Sequence, residues 1–451
     1  MKKSLPLLSC NTTQKTMKNQ RHKLIPNVSH SSLDKAIFTV VLTLLLTPTF
    51  GQSYYGNAYS EETITRSNSV GSNRMHYVKT GPTSGVFLLG LTSGGNPQYF
   101  SSYHISGYNI NDFMIFNDTI YICGEDDHGI GFYGWTSGAN TDWTFHIYRL
   151  YDNEKTFMTN VSRIRVFRSG QDLNVLLIGL YKLGGNYTYG SIVHAKNNSM
   201  CTIAYANGDF FNDIAILDGY VVTIEQKGGK ADGHQMRVLH KVPFSLYDTL
   251  FDTYYAWGQV QSFGRLWFQA TDNNSLVSVY RDGVGYYINT FSVNSGSLVF
   301  HNYNSIATSA MPDINDVAYN SYSKTLAILH NIDTVGTASF FDCTLFPNIT
   351  LSYSSCPRIY GLGWSDPQTR LFSVTRLPLS SNFVVSGICQ NRSVFWNTTS
   401  QDCQTYRQFS STPASANIDH FLWATARTTI EMDYQTYKTP LEQYEVATGC
   451  E

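Results

Sequence analysis

Short runs of alternating apolar and polar residues, separated by polar or glycine-containing turns, recur along the chain, and three of them open on the same dipeptide. Asn111-Asp112-Phe113-Met114-Ile115 leads through a turn at Asn117-Asp118 to Ile120-Tyr121-Ile122-Cys123-Gly124. Asn212-Asp213 begins a second copy that returns through Tyr220-Val221-Val222-Thr223-Ile224, and Asn315-Asp316 begins a third that returns through Leu326-Ala327-Ile328-Leu329. Period-two alternation interrupted by a turn predicts a β-hairpin. Four further copies, anchored near Met75, Ile164, Gln259 and Arg358, keep the pattern without the Asn-Asp pair. The anchors fall about every 40 to 55 residues, the spacing of four-stranded propeller blades. A second hairpin fits between most anchors, for instance Ile130 to Tyr133 with Phe145 to Tyr148.

The pattern therefore predicts an all-β chain folded as a β-propeller of about seven four-stranded blades, with six to eight possible. Residues 52–451 are expected to form one propeller domain behind an N-terminal extension and signal peptide at 1–51. The divergent stretch from Asn382 onward could supply an eighth blade, or Ile64 could close the seventh. Pairing of Glu62 to Arg66 with Thr429 to Tyr434 would bring the two ends together and remove exposed edges. Ile418 to Thr425, with Ile418, Phe421 and Leu422 at helical spacing, reads as a short helix.

Composition supports strands over helices: aromatic residues make up 14% of the chain and charged residues only 14%. A net charge of -2 with no basic run in the repeats gives no surface for tracking phosphates, which argues against nucleic acid as a partner. Ala36 to Phe50 is an apolar run behind Lys18, Arg21, Lys23 and Lys35. At about 15 residues it matches the core of a signal peptide better than the about 20 needed to span a bilayer. Cleavage before Gln52 and export to the periplasm, cell surface or medium are the expectation, with no stable transmembrane span afterwards; Met17 is an alternative start. In an oxidising compartment Cys343 with Cys356, and Cys389 with Cys403, are spaced to close hairpins as disulfides. Cys123 and Cys201, inside apolar strands, read as buried thiols.

The Asn-Asp start, Tyr121-Ile122-Cys123-Gly124 and Gly129-Ile130-Gly131-Phe132 together resemble exported β-propeller proteins of gut Bacteroidetes over roughly Met75 to Val374. The resemblance implies a propeller carried across the inner membrane and implies no catalytic residues.

Candidate chemistry is sparse. Asp112, Asp213 and Asp316 could ring a common axis as metal ligands, but short Asx side chains more often accept backbone N–H groups at a strand entry. Gly129 to Gly134 matches G-x-G-x-x-G by spacing alone, since a turn at Trp135-Thr136-Ser137-Gly138 follows where the motif requires a helix. Glu125-Asp126-Asp127-His128 lacks the alternation of a calcium loop and reads as a solvated hairpin tip. No metal or cofactor is expected. Two aromatic stretches read as loops that could stack on sugar rings or anchor a protein: Trp135 to Trp143 with Asp142, and Tyr255 with Trp257. The reading is a non-enzymatic propeller that binds a glycan or protein at the cell surface. A propeller-type hydrolase or lyase, with its polar groups gathered at the axial mouth from different blades, is the alternative.

Overall fold

Seven antiparallel sheets of four or five strands, and one two-stranded ribbon, make up a computed structural model of the chain. It describes strands between residues 54 and 448, with side chains mainly within 105–352 and a few near 374–385 and 434–436. Residues 1–53, 356–369 and 398–407 are among those it leaves undescribed. All further statements concern the described residues.

Each of the first six sheets is built from four consecutive strands, with the first strand innermost. The inner strands, in chain order, are Thr63–Val70, Tyr108–Phe116, Met158–Ser169, Phe210–Ile216, Trp267–Ala270, Asp313–Asn320 and Arg370–Arg376. Each adjoins the next, and Arg370–Arg376 adjoins Thr63–Val70 again, so the inner strands follow one another in a cycle. The arrangement is propeller-like and all-β. The hydrophobic core is correspondingly divided into layers between neighbouring sheets. Tyr121, Cys123 and Tyr148 of the second sheet pack on Ile164, Val166 and Leu177 of the third. Val277, Val279 and Ile288 of the fifth pack on Val317, Leu326 and Ile328 of the sixth.

The Asn-Asp pair turns out to be a device for joining sheets. In the second, fourth and sixth sheets the strand register slips at this pair, between Ile110 and Asp112, Phe211 and Asp213, and Ile314 and Asp316. The asparagine is the extra residue of a β-bulge, which re-aims the residue after it. Asp112 Oδ2 then accepts the Ile164 amide of the third sheet at 3.0 Å, and Asp316 Oδ2 accepts the Val374 amide of the seventh at 2.9 Å. Asp213 and Asp316 also accept the amide of the residue that follows each, at 2.9 and 3.0 Å. Asn111 adds a bond from its amide nitrogen to the Val161 carbonyl, 3.1 Å away on the third sheet. The structural reading of these aspartates holds, with the bonds reaching across to the neighbouring sheet as well as along their own strand.

The last part of the chain adopts neither an eighth sheet nor a helix. Six strands, Gln408–Pro413, Ile418–Trp423, Thr429–Ile430, Asp433–Pro440, Glu442–Tyr444 and Ala447–Thr448, add in turn to the outer edges of the fifth, fourth, third, second, first and seventh sheets. This belt runs round the sheets against their chain order, and every pairing in it is antiparallel. Sheet twist makes this possible with links of one to five residues. A rotation of about 20–25° per strand accumulates to about 60–75° between the innermost and fourth strands, so the outer strands lie across the blades and along the path of the belt. The expected helix at Ile418 is instead the strand Ile418–Trp423, whose residues pair one for one with Tyr254 back to Thr249.

The ends do meet, through a different pairing from the one expected. Tyr54–Gly56 forms the fourth strand of the seventh sheet, between Arg392–Asn397 and Ala447–Thr448, whereas Thr63–Val70 is an inner strand. Thr429–Ile430 and Tyr434 pair with the third and second sheets.

The disulfide expectation is corrected. Cys343 is a buried free thiol, its Sγ 3.8 Å from the Phe341 carbonyl, and burial pushes its pKa up to about 12. Its hairpin explains why. Ser355 pairs with Ala338, five positions back from Cys343 and about 17 Å along the strand, so the register carries the end of this hairpin away from Cys343; Cys356 itself lies outside the described residues. Cys389 ends the strand Phe383–Cys389 and pairs with Arg392, while Cys403 lies outside the described residues. No disulfide joins the described cysteines, and Cys123 is a buried free thiol as expected.

Candidate functional site

The second sheet gathers most of the sequence candidates. Trp135 and the pair Asp142 and Trp143 lie on the strands Gly131–Ser137 and Asp142–Arg149 rather than on a loop, because alternation continues through both. Trp135 faces the strand Asp142–Arg149 with its indole parallel to two rings there: His146 at 5.1 Å and 17°, and Tyr148 at 5.2 Å and 27°. His146 in turn stacks on Tyr434 of the belt at 6.0 Å and 11°, with His146 Nδ1 2.6 Å from the Tyr434 hydroxyl. Tyr133 stacks on Tyr148, and Tyr148 packs at 5.0 Å on Tyr434. A ladder of rings therefore crosses from the strand Thr119–Asp126, through Tyr121 opposite Trp135, to the belt strand Asp433–Pro440.

Register accounts for the ladder. Directly opposed residues on antiparallel neighbours share a face, as do residues two apart on one strand, so Tyr133, Trp135, His146, Tyr148 and Tyr434 line one side. Burial raises the pKa values of Tyr121, Tyr133 and Tyr148, with the neighbouring Tyr148 and Tyr434 hydroxyls adding to it for the last two. These phenols stay neutral and available as hydrogen-bond groups. The inner rings turn their faces to one another, and Tyr434, 47% exposed, ends the ladder at the surface.

The opposite end of the second sheet carries the acidic turn. Asp126, Asp127 and His128 present ligand atoms within 4.8 Å of one another. Asp126 is already committed: Oδ1 accepts the amides of His128 and Ile130 at 3.0 and 2.9 Å, and Oδ2 pairs with Arg149. Asp127 and His128 form an exposed pair at 2.6 Å. Such an arrangement caps a turn, as its sequence implied.

Arg165 of the third sheet ties three sheets together. Its guanidinium bonds Asp112 of the second sheet at 3.1 Å and Asp213 of the fourth at 2.7 Å, and its Nε reaches the Ile214 carbonyl at 3.1 Å. Burial opposes the charge, but Asp213 and then Asp112 outweigh it and lift the Arg165 pKa above the ordinary arginine value. The carboxylates that could have ringed an axis as metal ligands thus spend their oxygens on a neighbouring arginine and on backbone amides.

Tyr255 and Trp257 lie outside the described residues, and the side chains of Asp142 and Trp143 are likewise undescribed. His146 and Tyr434 were missed by the sequence reading. His146-x-Tyr148 opposite Tyr133-x-Trp135 was a visible signal. Tyr434 had none, since it reaches the ladder across 288 residues of chain.

Comparison with known proteins finds propeller structures at low identity and low structural similarity. No family model and no curated protein matches the chain. Among solved structures it is similar to the WD40 β-propeller domain of Doa1, with 10% identity, a TM-score of 0.47, and coverage of 77% of this chain and 97% of that one. The Dos1 propeller gives 9% and 0.47, covering 79% and 96%. A putative 6-phosphogluconolactonase from Bacteroides fragilis gives 9% and 0.40, covering 81% and 99%. Nothing in these likenesses ties the chain to exported Bacteroidetes propellers, and that part of the sequence expectation is withdrawn. No helix of the described residues is long and apolar enough to cross a membrane.

Proposed function

We propose that the chain is a seven-bladed β-propeller that binds a glycan or protein partner without transforming it. The aromatic ladder of the second sheet carries this reading. Trp135, packed against the core between the second and third sheets, stacks with His146 and Tyr434 and the stack ends in a half-exposed phenol at the sheet edge. Rigid aromatic groups with a polar tip offer contact area to sugars and to protein anchors at little cost in conformational freedom. The polar groups beside it support binding over catalysis. Asp112, Asp213 and Arg165 are held in bonds between sheets, so these groups are committed to holding the sheets together.

The test is a glycan array probed with the chain from Gln52 onward, run beside an assay for released sugars. Binding without release, weakened at least about tenfold by Trp135→Ala, agrees with the proposal. Release of sugar overturns it in favour of a hydrolase or lyase. If glycans give neither signal, chemical cross-linking of native and Trp135→Ala chains to protein partners decides; identical capture by both removes the ladder from the account.

A further inference from the structure

We infer that the belt is a strap that locks the closing strand Tyr54–Gly56 into the seventh sheet, with the second sheet as its latch. Tyr54–Gly56 is three residues long. Tyr54, Tyr55 and Gly56 pair inward with Trp396, Phe395 and Val394, and outward Tyr55 and Gly56 pair with Thr448 and Ala447 at the end of the belt. A strand this short has few inward bonds to hold it. With the belt in place it becomes an internal strand bonded on both sides, and with the belt lifted it becomes a three-residue edge.

The belt is fastened unevenly. Eight residues, Asp433 to Pro440, pair with the strand Asp142–Arg149 of the second sheet, whereas three pair with the first sheet and two with the seventh. Among the described residues, the eight-residue segment is held by side chains on both faces. Tyr434 sits against His146 and Tyr148, and Gln435 Oε1 accepts the Tyr108 hydroxyl at 3.3 Å. Beyond this latch, Leu441 alone links Asp433–Pro440 to Glu442–Tyr444, and two residues lead on to Ala447–Thr448. Links so short leave little slack, so a displacement at Tyr434 carries through to the closing strand. The device couples the aromatic ladder to the freedom of Tyr54–Gly56. It stands on strand pairing and on the Tyr434 and Gln435 contacts, and is independent of any ligand.

Hydrogen exchange on the full chain tests the coupling, comparing the parent with an Ala447→Pro/Thr448→Pro double variant and with Tyr434→Ala. Proline removes the amide donor from whichever of the two positions faces the closing strand. Exchange at Tyr54–Gly56 is expected to rise about tenfold or more in both variants, with Tyr220–Gln226 of the fourth sheet unchanged. Unchanged exchange at Tyr54–Gly56 in the proline variant, with Ala447–Thr448 exposed, would overturn the lock. A rise in the proline variant but none in Tyr434→Ala would overturn the latch. Should either variant lose protection at Tyr220–Gln226 as well, Tyr434→Phe, which removes only the hydroxyl beside His146, takes its place: a smaller rise at Tyr54–Gly56 supports the coupling and a flat response rejects it.

Discussion

The inside and the outside of this ring are held by opposite means. On the inside, side chains at a repeated bulge reach from one sheet to the next: Asp112 to the Ile164 amide, Asp316 to the Val374 amide, and Arg165 to carboxylates on either side. On the outside, a belt adds strand after strand by main-chain pairing, and among the described residues Tyr434 and Gln435 add side-chain contacts at the second sheet. The first arrangement needs particular residues at particular places. The second is built on main-chain pairing, which asks less of residue identity. The difference implies that point substitutions should hurt most at the inner bulges and least along the belt.

The largest effect is expected at Arg165. Replacing it with methionine keeps much of the aliphatic volume but leaves Asp112 and Asp213 buried without their shared cation, a loss of about 3–5 kcal/mol. Denaturant unfolding would read this directly. A change below about 1 kcal/mol, the scale of an exposed ion pair, would show that the tie is solvated in solution and that the inner ring is not side-chain locked.

An intermediate effect, dependent on pH, is expected at His330 on the second strand of the sixth sheet. It is fully buried, packs with its ring tilted against Tyr286 of the fifth sheet, and has Nε2 2.6 Å from Ser339 Oγ, which also accepts the Tyr286 hydroxyl at 3.1 Å. Burial lowers its pKa to about 3. The unfolded chain therefore takes up this proton more readily than the folded one. The contribution is complete above the unfolded value of about 6.5 and is lost as pH falls toward the folded value, at up to about 1.4 kcal/mol per pH unit. Comparing the acid limb of stability for the parent and His330→Gln should show a shallower slope in the variant. Equal slopes would mean that the layer between the fifth and sixth sheets admits the charge.

The smallest effect is expected at the belt. Tyr434→Ala removes ring packing from a partly exposed position and should cost about 1 kcal/mol in global unfolding. A loss matching that of Arg165→Met would erase the distinction between inside and outside.

How much of this was legible in the sequence follows the same division. The hairpins and their period could be read because alternation and turn residues are local, and Asn111-Asp112, Asn212-Asp213 and Asn315-Asp316 flagged the bulges even though their reach to the next sheet could not be seen. Arg165 stood among scattered arginines, since its two carboxylate partners lie 48 and 53 residues away. The belt was illegible for a physical reason. Main-chain pairing on an outer edge leaves little signature in side-chain order, so Ile418, Phe421 and Leu422 could be read as a helix face and Asn382 onward as another blade. The disulfide expectation failed because residue spacing was taken as distance. The register that places Ser355 opposite Ala338 is a tertiary fact. For the candidate site, Trp135 was found by composition and placed wrongly on a loop, while Tyr434 became part of it only through the belt.

The belt is the feature on which the account most depends, and its register can be trapped chemically. Two cysteine pairs, Thr253→Cys with Asp419→Cys on the fourth sheet and Ser101→Cys with Gln443→Cys on the first, occupy directly opposed positions. Mild oxidation followed by mass mapping should find both cross-links in the monomeric chain, because opposed residues on neighbouring strands lie within disulfide reach. Absence of both cross-links, with each introduced cysteine still open to alkylation, would mean that the last strands lie elsewhere and that the ring has no belt.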